Sequence, residues 1–209
     1  MPPPHSKNIF TPNLDFENKH SGIVCGIDEV GRGPLAGPVM AAAVILDPQN
    51  IPAGLNDSKK LSPARREALY IELTSCCQYG VGEASVAEID RHNILQATYI
   101  AMQRAVEKLP IRPDHALVDG NRLPPLICPA TTIIKGDQRS LSIAAASIIA
   151  KVKRDFLMKE LAKNYPDYGW EKNAGYGTKQ HMEALKLVGV TPHHRNSFAP
   201  IRNLITQDS

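Results

Sequence analysis

Gly26-Ile27-Asp28-Glu29-Val30-Gly31-Arg32-Gly33-Pro34-Leu35-Ala36-Gly37-Pro38 is the most informative stretch of this chain. Two adjacent acids close an apolar run, and a Gly-Arg-Gly loop follows at once. Carboxylates at the end of a strand can hold a hard divalent cation through oxygen. A glycine loop with one fixed cation lets backbone come close to a phosphate or a sugar. Metal-holding acids beside a backbone-reading loop point to phosphodiester chemistry.

Outward from this stretch, residues 23–28 read as a buried strand and 39–46, across the glycine-rich turn, as a second. Ser62 as N-cap and Pro63 at the first helical position open a helix that runs to about residue 77. Residues 79–86 read as a third strand, and 94–109 carry apolar residues at helical spacing, among them Leu95, Tyr99, Met102 and Val106. A short strand over 115–119 ends in Asp119-Gly120, and another closes at Ile133-Ile134 just before Lys135-Gly136-Asp137. A long helix follows over about 141–163, and its start, Ala144-Ala145-Ala146-Ser147, permits close contact with a sheet. Thr178 caps the last clear helix, 179–188, which Gly189 ends. Strands in a run, then strands alternating with helices, predict an α/β fold: a mixed central β-sheet flanked by helices, with a helical C-terminal part. Residues 1–20, polar and proline-bearing, are expected to form a loose extension, and 21–209 a single catalytic domain.

Composition is that of an ordinary globular protein, with 43% hydrophobic and 22% charged residues. The net charge of +3 neither demands nor excludes nucleic acid, because metal-binding acids hide local basic patches in the sum. Cys25, Cys76, Cys77 and Cys128 show no paired metal spacing, and the neighbouring pair is poorly placed for a mutual disulfide. A reducing compartment is expected, and the cytoplasm is the default. No apolar run reaches membrane-spanning length, and the start lacks the basic and apolar regions of a signal peptide.

Asp28, Glu29, Asp119 and Asp137 share one context: each lies at or just beyond the C-terminal end of an apolar strand-like segment. Ligand sites of open α/β sheets gather at that rim. One such acid is ordinarily a turn former; four in the same context read as a shared metal site. Oxygen-only ligands select Mg²⁺ or Mn²⁺ over zinc. Two ions about 4 Å apart would activate an attacking water and steady the leaving oxygen of an in-line displacement. Asp28 and Asp119 are assigned places bridging the ions or ligating one of them directly, and Asp137 a ligand place near the attacking water. Consecutive strand residues face opposite sides. Asp28 and Glu29 therefore meet at one ion only if the strand has ended or bulged, and Glu29 binds by its longer reach or its backbone oxygen.

With these residues in view, the chain resembles the bacterial ribonuclease HII family, a type 2 ribonuclease H. The resemblance rests on residues 26–38, 55–63 (Leu-Asn-Asp-Ser-Lys-Lys-Leu-Ser-Pro), 118–120, 135–137, 142–155, 175–178 and 191–198, in the family's order. It implies a ribonuclease H-like fold and Mg²⁺- or Mn²⁺-dependent endonuclease action on the RNA strand of RNA–DNA hybrids. It also implies incision 5′ of ribonucleotides embedded in duplex DNA, leaving a 3′-hydroxyl and a 5′-phosphate, as ribonucleotide excision repair requires. Asp28, Glu29, Asp119 and Asp137 fall on the family's acidic quartet. Gly31, Arg32 and Gly33 fall on its ribonucleotide-sensing loop, and Tyr176 on the tyrosine that helps recognise the RNA–DNA junction. The related ribonuclease HIII carries an added N-terminal domain, so the few residues before Asp28 fit the shorter type. A monomer is expected, and the sequence assigns no tie to a sliding clamp.

A nuclease that targets ribonucleotides must sense the 2′-hydroxyl. Backbone groups of residues 31–33 are placed to do so, and a polar group left unpaired by deoxyribose costs roughly 1–3 kcal/mol. Tyr176 stands in a flexible Gly-Tyr-Gly-Thr stretch, where an exposed ring can stack on a sugar or base. Lys59 and Lys60, ahead of a helix, are candidate phosphate contacts. Arg195 is a weaker candidate of the same kind. Lys151 and Asp155, four apart on the long helix, read as a surface pair, Arg154 as structural, and His181 as a surface or capping histidine.

Overall fold

The computed structural model describes residues 10–207. Five strands form one mixed sheet in the order β3-β2-β1-β4-β5. β1 (Val24–Val30), β2 (Val39–Ile45) and β3 (Gln78–Ala84) pair antiparallel, while β4 (His115–Asp119) and β5 (Ala130–Ile133) are added parallel to β1. The long apolar runs of β1 and β2 follow from burial on both sheet faces.

One face is covered by α2 (Val86–Glu107), which packs Ala97, Ala101, Met102 and Ala105 against Cys25, Ile27, Val39, Ala41 and Val118. The other is covered by α1 (Pro63–Cys76) and α3 (Leu141–Asn164), whose alanine-rich start, Leu69 and Leu73 meet Ala42 and Val44. The close approach is real: a Cβ on Gly26 would collide with the backbone of Ser142 and Ile143. A third cluster joins the end of α3 to α4 (Trp170–Asn173), α5 (Lys179–Val188) and α6 (Ala199–Gln207), around the fully buried Trp170.

Several boundaries differ from expectation for identifiable reasons. α2 begins at Val86, not at 94, because Ser85 and Glu88 form a reciprocal capping box. Asn93, in the left-handed region at φ 66, then kinks it, and its side chain accepts from the amides of Leu95 and Gln96 as a second cap. The third strand accordingly stops at Ala84. A further helix, α6, follows the last expected one, with Pro200 in its first turn.

Residues 10–20, expected to be loose, are tied down; 1–9 lie outside the described residues. Asn13 exchanges backbone hydrogen bonds with the Arg139–Leu141 segment. Glu17 Oε1 accepts from Ser140 Oγ at 2.6 Å and from the Ser142 amide at 2.9 Å, placing an acid at the positive end of α3. Among the described residues no helix is long and apolar enough to cross a membrane.

Candidate active site

The parallel pairing of β1 and β4 sets Ile27 opposite Val118, so Asp28 and Asp119 emerge side by side at one sheet rim. β5 ends opposite Asp119. The chain then turns through Lys135, at φ 56, into a 3-10 turn, Gly136–Gln138, that carries Asp137. The Gly136 amide donates to Asp119 Oδ1 at 2.6 Å and ties that turn to the strand end.

β1 neither ends nor bulges at the paired acids. Its register with β2 is unbroken through Asp28↔Ala42 and Glu29↔Ala41. The two side chains therefore leave opposite faces. Glu29 lines a groove on the α2 side with Leu95, Tyr99 and Met102, which continues over Asp119, Asn121 and Arg122. Its Oε1 stands 3.5 Å from Arg32 Nη1. Asp28 is 8% exposed, and its Oδ1 accepts from the Glu29 amide at 2.7 Å. Both routes expected for Glu29, a longer reach around the rim or its backbone oxygen, start from this opposite-facing arrangement.

The electrostatics are those of crowded anions. Burial, then the charges of Glu29, Asp119 and Asp137, raises the Asp28 carboxyl well above the usual range. Burial also raises Glu29 against the opposing pull of Arg32, and Asp119 against the amides of Gly136 and Asp137. Asp137 is pushed up to about 6 by burial, then by Asp57 and Asp119. Asp57 was missed by sequence reasoning. It is buried at 7% exposure, and its carboxylate accepts from the Lys59 amide and from Gln138 Nε2. An acid in a polar loop reads as a turn former until the fold buries it.

The donor set fits a hard divalent cation: four carboxylates on one rim, short of positive charge, with no imidazole or thiol among them. Among the described residues no three acid, histidine or cysteine side chains stand close enough to hold one ion as they are turned. Asp28, Glu29 and Asp119 are instead engaged by protein donors: the Glu29 amide, the Arg32 guanidinium and the Gly136 amide.

The expected binding residues divide. Lys59 belongs to the rim: burial of its stem opposes the ammonium form, but Asp28, Asp57 and Asp137 outweigh it and raise its pKa. Tyr176 is half exposed, and its ring edge lies 3.3 Å from where a Gly33 Cβ would be. Lys60 is exposed in the same loop, its amide donating to Asp57 O. Arg195 is corrected. It is fully buried beneath the loop, donating to the carbonyls of Gly31 at 2.6 Å, Arg32 at 3.0 Å and Gly37 at 2.9 Å. With its fork spent on backbone, it has no face for a phosphate.

Arg154, read as structural, does the same for Ala36, Pro38 and Ala174, and Gly31 needs its φ of +94 and absent Cβ to lie against that side chain. Lys151 and Asp155 pair at 2.7 Å as expected. His181 is corrected too: it is not on the surface but fully buried against Trp170 and His194.

A mixed five-stranded sheet flanked by helices, with an acidic rim and a helical C-terminal part, defines the class: a ribonuclease H-like fold. The sequence profile of the ribonuclease HII family matches residues 25–201, and the chain belongs to that family. The ribonuclease HII of Jannaschia sp. (strain CCS1) is 58% identical over 195 residues, 93% of this chain and 98% of that relative. The crystal structure of ribonuclease H2 from Pyrococcus horikoshii OT3 superposes with a TM-score of 0.72 at 28% identity, covering 88% of this chain and 98% of that one. Bst-RNase HIII in complex with Mn²⁺ shares the fold at a TM-score of 0.73 and 20% identity, covering 90% of this chain and 70% of that one. The protein is thus a hydrolase, a metal-dependent endoribonuclease acting on RNA–DNA hybrids.

Proposed function

We propose that the enzyme also incises 5′ of ribonucleotides embedded in duplex DNA, giving 3′-hydroxyl and 5′-phosphate ends by two-metal-ion hydrolysis. Asp28, Glu29, Asp119 and Asp137 hold Mg²⁺ or Mn²⁺. When bound, such ions activate water and neutralise charge on the leaving oxygen. Lys59 brings an ammonium to the acids and positions the scissile phosphate, and Lys60 holds backbone farther along the duplex.

The observation that carries the reading is the loop beside the acids. Arg195 binds the carbonyls of Gly31 and Arg32 from below. The amides of Arg32 and Gly33 donate to no acceptor among the described residues. They are donors without a partner at the place where a 2′-hydroxyl must be read. The Tyr176 ring, against Gly33, closes the other side and stacks on the neighbouring deoxyribose. On this reading the enzyme works in the cytoplasm as a monomer, a setting that its four free cysteines support.

The test is a DNA duplex bearing a single ribonucleotide, offered with Mg²⁺, Mn²⁺ or chelator to the wild type and to Asp119→Asn. The wild type nicks 5′ of the ribonucleotide only with metal, and the variant loses at least about 100-fold. Undiminished activity in Asp119→Asn removes that residue from the chemistry. Equal cleavage of an all-DNA duplex removes the 2′-hydroxyl sensor.

A further inference from the structure

The buried histidines lie off the acidic rim, yet their hydrogen bonds form a chain with only one possible direction. The Thr191 amide, a donor, reaches His194 Nδ1 at 2.8 Å, so that nitrogen is bare. The proton of a neutral His194 then sits on Nε2, which faces His181 Nε2 at 3.0 Å. His181 Nε2 must accept there, and the indole of Trp170, which can only donate, independently requires the same at 3.3 Å. The His181 proton is left on Nδ1, which lies 2.9 Å from the carbonyl of Tyr176, a group that can only accept. Two one-way donors and one one-way acceptor thus fix both tautomers.

The segment that starts this chain also grips the loop. Gly37 donates to His193 O at 2.9 Å, the Arg195 amide to Leu35 O at 2.9 Å, and the Arg195 guanidinium to Gly31, Arg32 and Gly37. One short stretch, 191–195, is therefore bonded at one end to the Gly31–Gly37 loop and, through two imidazoles, to Tyr176.

We infer that His181 and His194 are positioning residues that set the gap between the Tyr176 ring and the Gly31–Gly33 loop, and so tune discrimination at the ribonucleotide. Burial presses the His194 imidazole down to about 4, so at neutral pH the chain keeps its uncharged, directional form. The alternative of mere core filling requires neither imidazole: an apolar ring would fill the space, and Tyr176 O would lose the second of its two donors, keeping only the Thr178 amide at 2.8 Å. The inference rests on the role proposed above for Tyr176, and the measurements separate the two.

Nitrogen-15 spectra of the imidazoles at neutral pH read the tautomers directly in the wild type. His181 protonated on Nδ1 and His194 on Nε2 are expected; the reverse assignment, or averaging between tautomers, overturns the relay. Incision of a single-ribonucleotide duplex is then compared with cleavage of an uninterrupted hybrid. His181→Leu loses about tenfold on the first substrate, the worth of one hydrogen bond, and less on the second, with Mn²⁺ affinity unchanged. His181→Asn, whose side-chain amide nitrogen occupies the place of Nδ1, restores most of the loss. In a Tyr176→Ala background, His181→Leu adds nothing further. A full additional loss there, or no rescue by asparagine, overturns the inference. If Tyr176→Ala is itself silent, the role of Tyr176 fails, and the tautomer spectra alone decide the relay. Should His181→Leu not fold, the asparagine variant and the wild-type spectra carry the test.

Discussion

Asp119 sits at the centre of the acidic rim, between Glu29 and Asp28 on the neighbouring strand and Asp137 in the following turn. On the function proposed above its carboxylate serves a cation; without one it is costly, because burial and like charges both disfavour ionisation. Activity and stability should therefore move in opposite directions on mutation. Asp119→Asn keeps an acceptor for the Gly136 amide and removes one buried negative charge. Measured by thermal unfolding in chelator, it should be more stable than the wild type by about 1 kcal/mol. On adding Mg²⁺ the order should close, as the wild type gains by binding and the variant gains little. A variant less stable in chelator would show that Asp119 holds the rim together rather than straining it. The four acids could be picked out from residue type and strand-end position alone. Asp57 could not, because only the fold buries it against Asp137, and Arg195 misled for the same reason: a guanidinium looks alike in sequence whether it faces phosphate or carbonyl oxygen.

β1 and α3 meet more closely than any side chain allows, through Gly26 on the strand and the Ser142–Ile143 backbone on the helix. The contact sets the depth at which the rim lies relative to Lys59 and the loop, since Asp28 is two residues further along the same strand face. Gly26→Ala must push helix and strand apart, at a cost of roughly 1–3 kcal/mol for overpacking. Chemical denaturation should show that loss, and nuclease activity should fall with it; an alanine tolerated without cost would mean that α3 is free to shift. The alanine run of α3 announced this contact in the sequence, whereas the extent of α2 did not show, because its first two turns rest on a capping box and a left-handed Asn93 rather than on apolar periodicity. The tail helix α6 was hidden similarly: nine residues acquire a reason to be helical only where Ile201 is buried against the C-terminal cluster.

The C-terminal cluster joins the Gly31–Gly37 loop, Tyr176 and the buried histidines in one unit, and its protonation couples to stability. His194 titrates near 4 in the fold against 6.5 as its ordinary value, with burial the main cause and His181 and His193 adding to it. The titratable groups facing it are His181, His193 and Tyr168. Between those two pH values the unfolded chain binds a proton that the folded chain does not. The contribution is therefore complete above about pH 6.5, declines as pH falls, and levels off below about 4, by at most roughly 3 kcal/mol. The acids of the rim titrate in the opposite sense, so the measure is a difference: wild type against His194→Gln, each unfolded at pH 7 and pH 4.5. The wild type should lose more on acidification, and equal losses would mean that His194 is solvated in the native state.

Family, fold class and the placement of four carboxylates at one sheet rim were legible in the linear chain, because strand burial demands particular residue types at particular places. Local order also left its mark wherever a cap or a small-residue run did the work, as at Ser62, Thr178 and the start of α3. What the linear chain could not carry was which side of a group would be used. Strand register put Asp28 and Glu29 on opposite faces, and distant backbone carbonyls claimed Arg154 and Arg195. Opposing one-way donors fixed His181 and His194. Those outcomes depend on partners more than a hundred residues away for the arginines, and on three-dimensional packing for the histidines. Contacts of that range arise only once the sheet, α3 and the C-terminal helices have closed on one another.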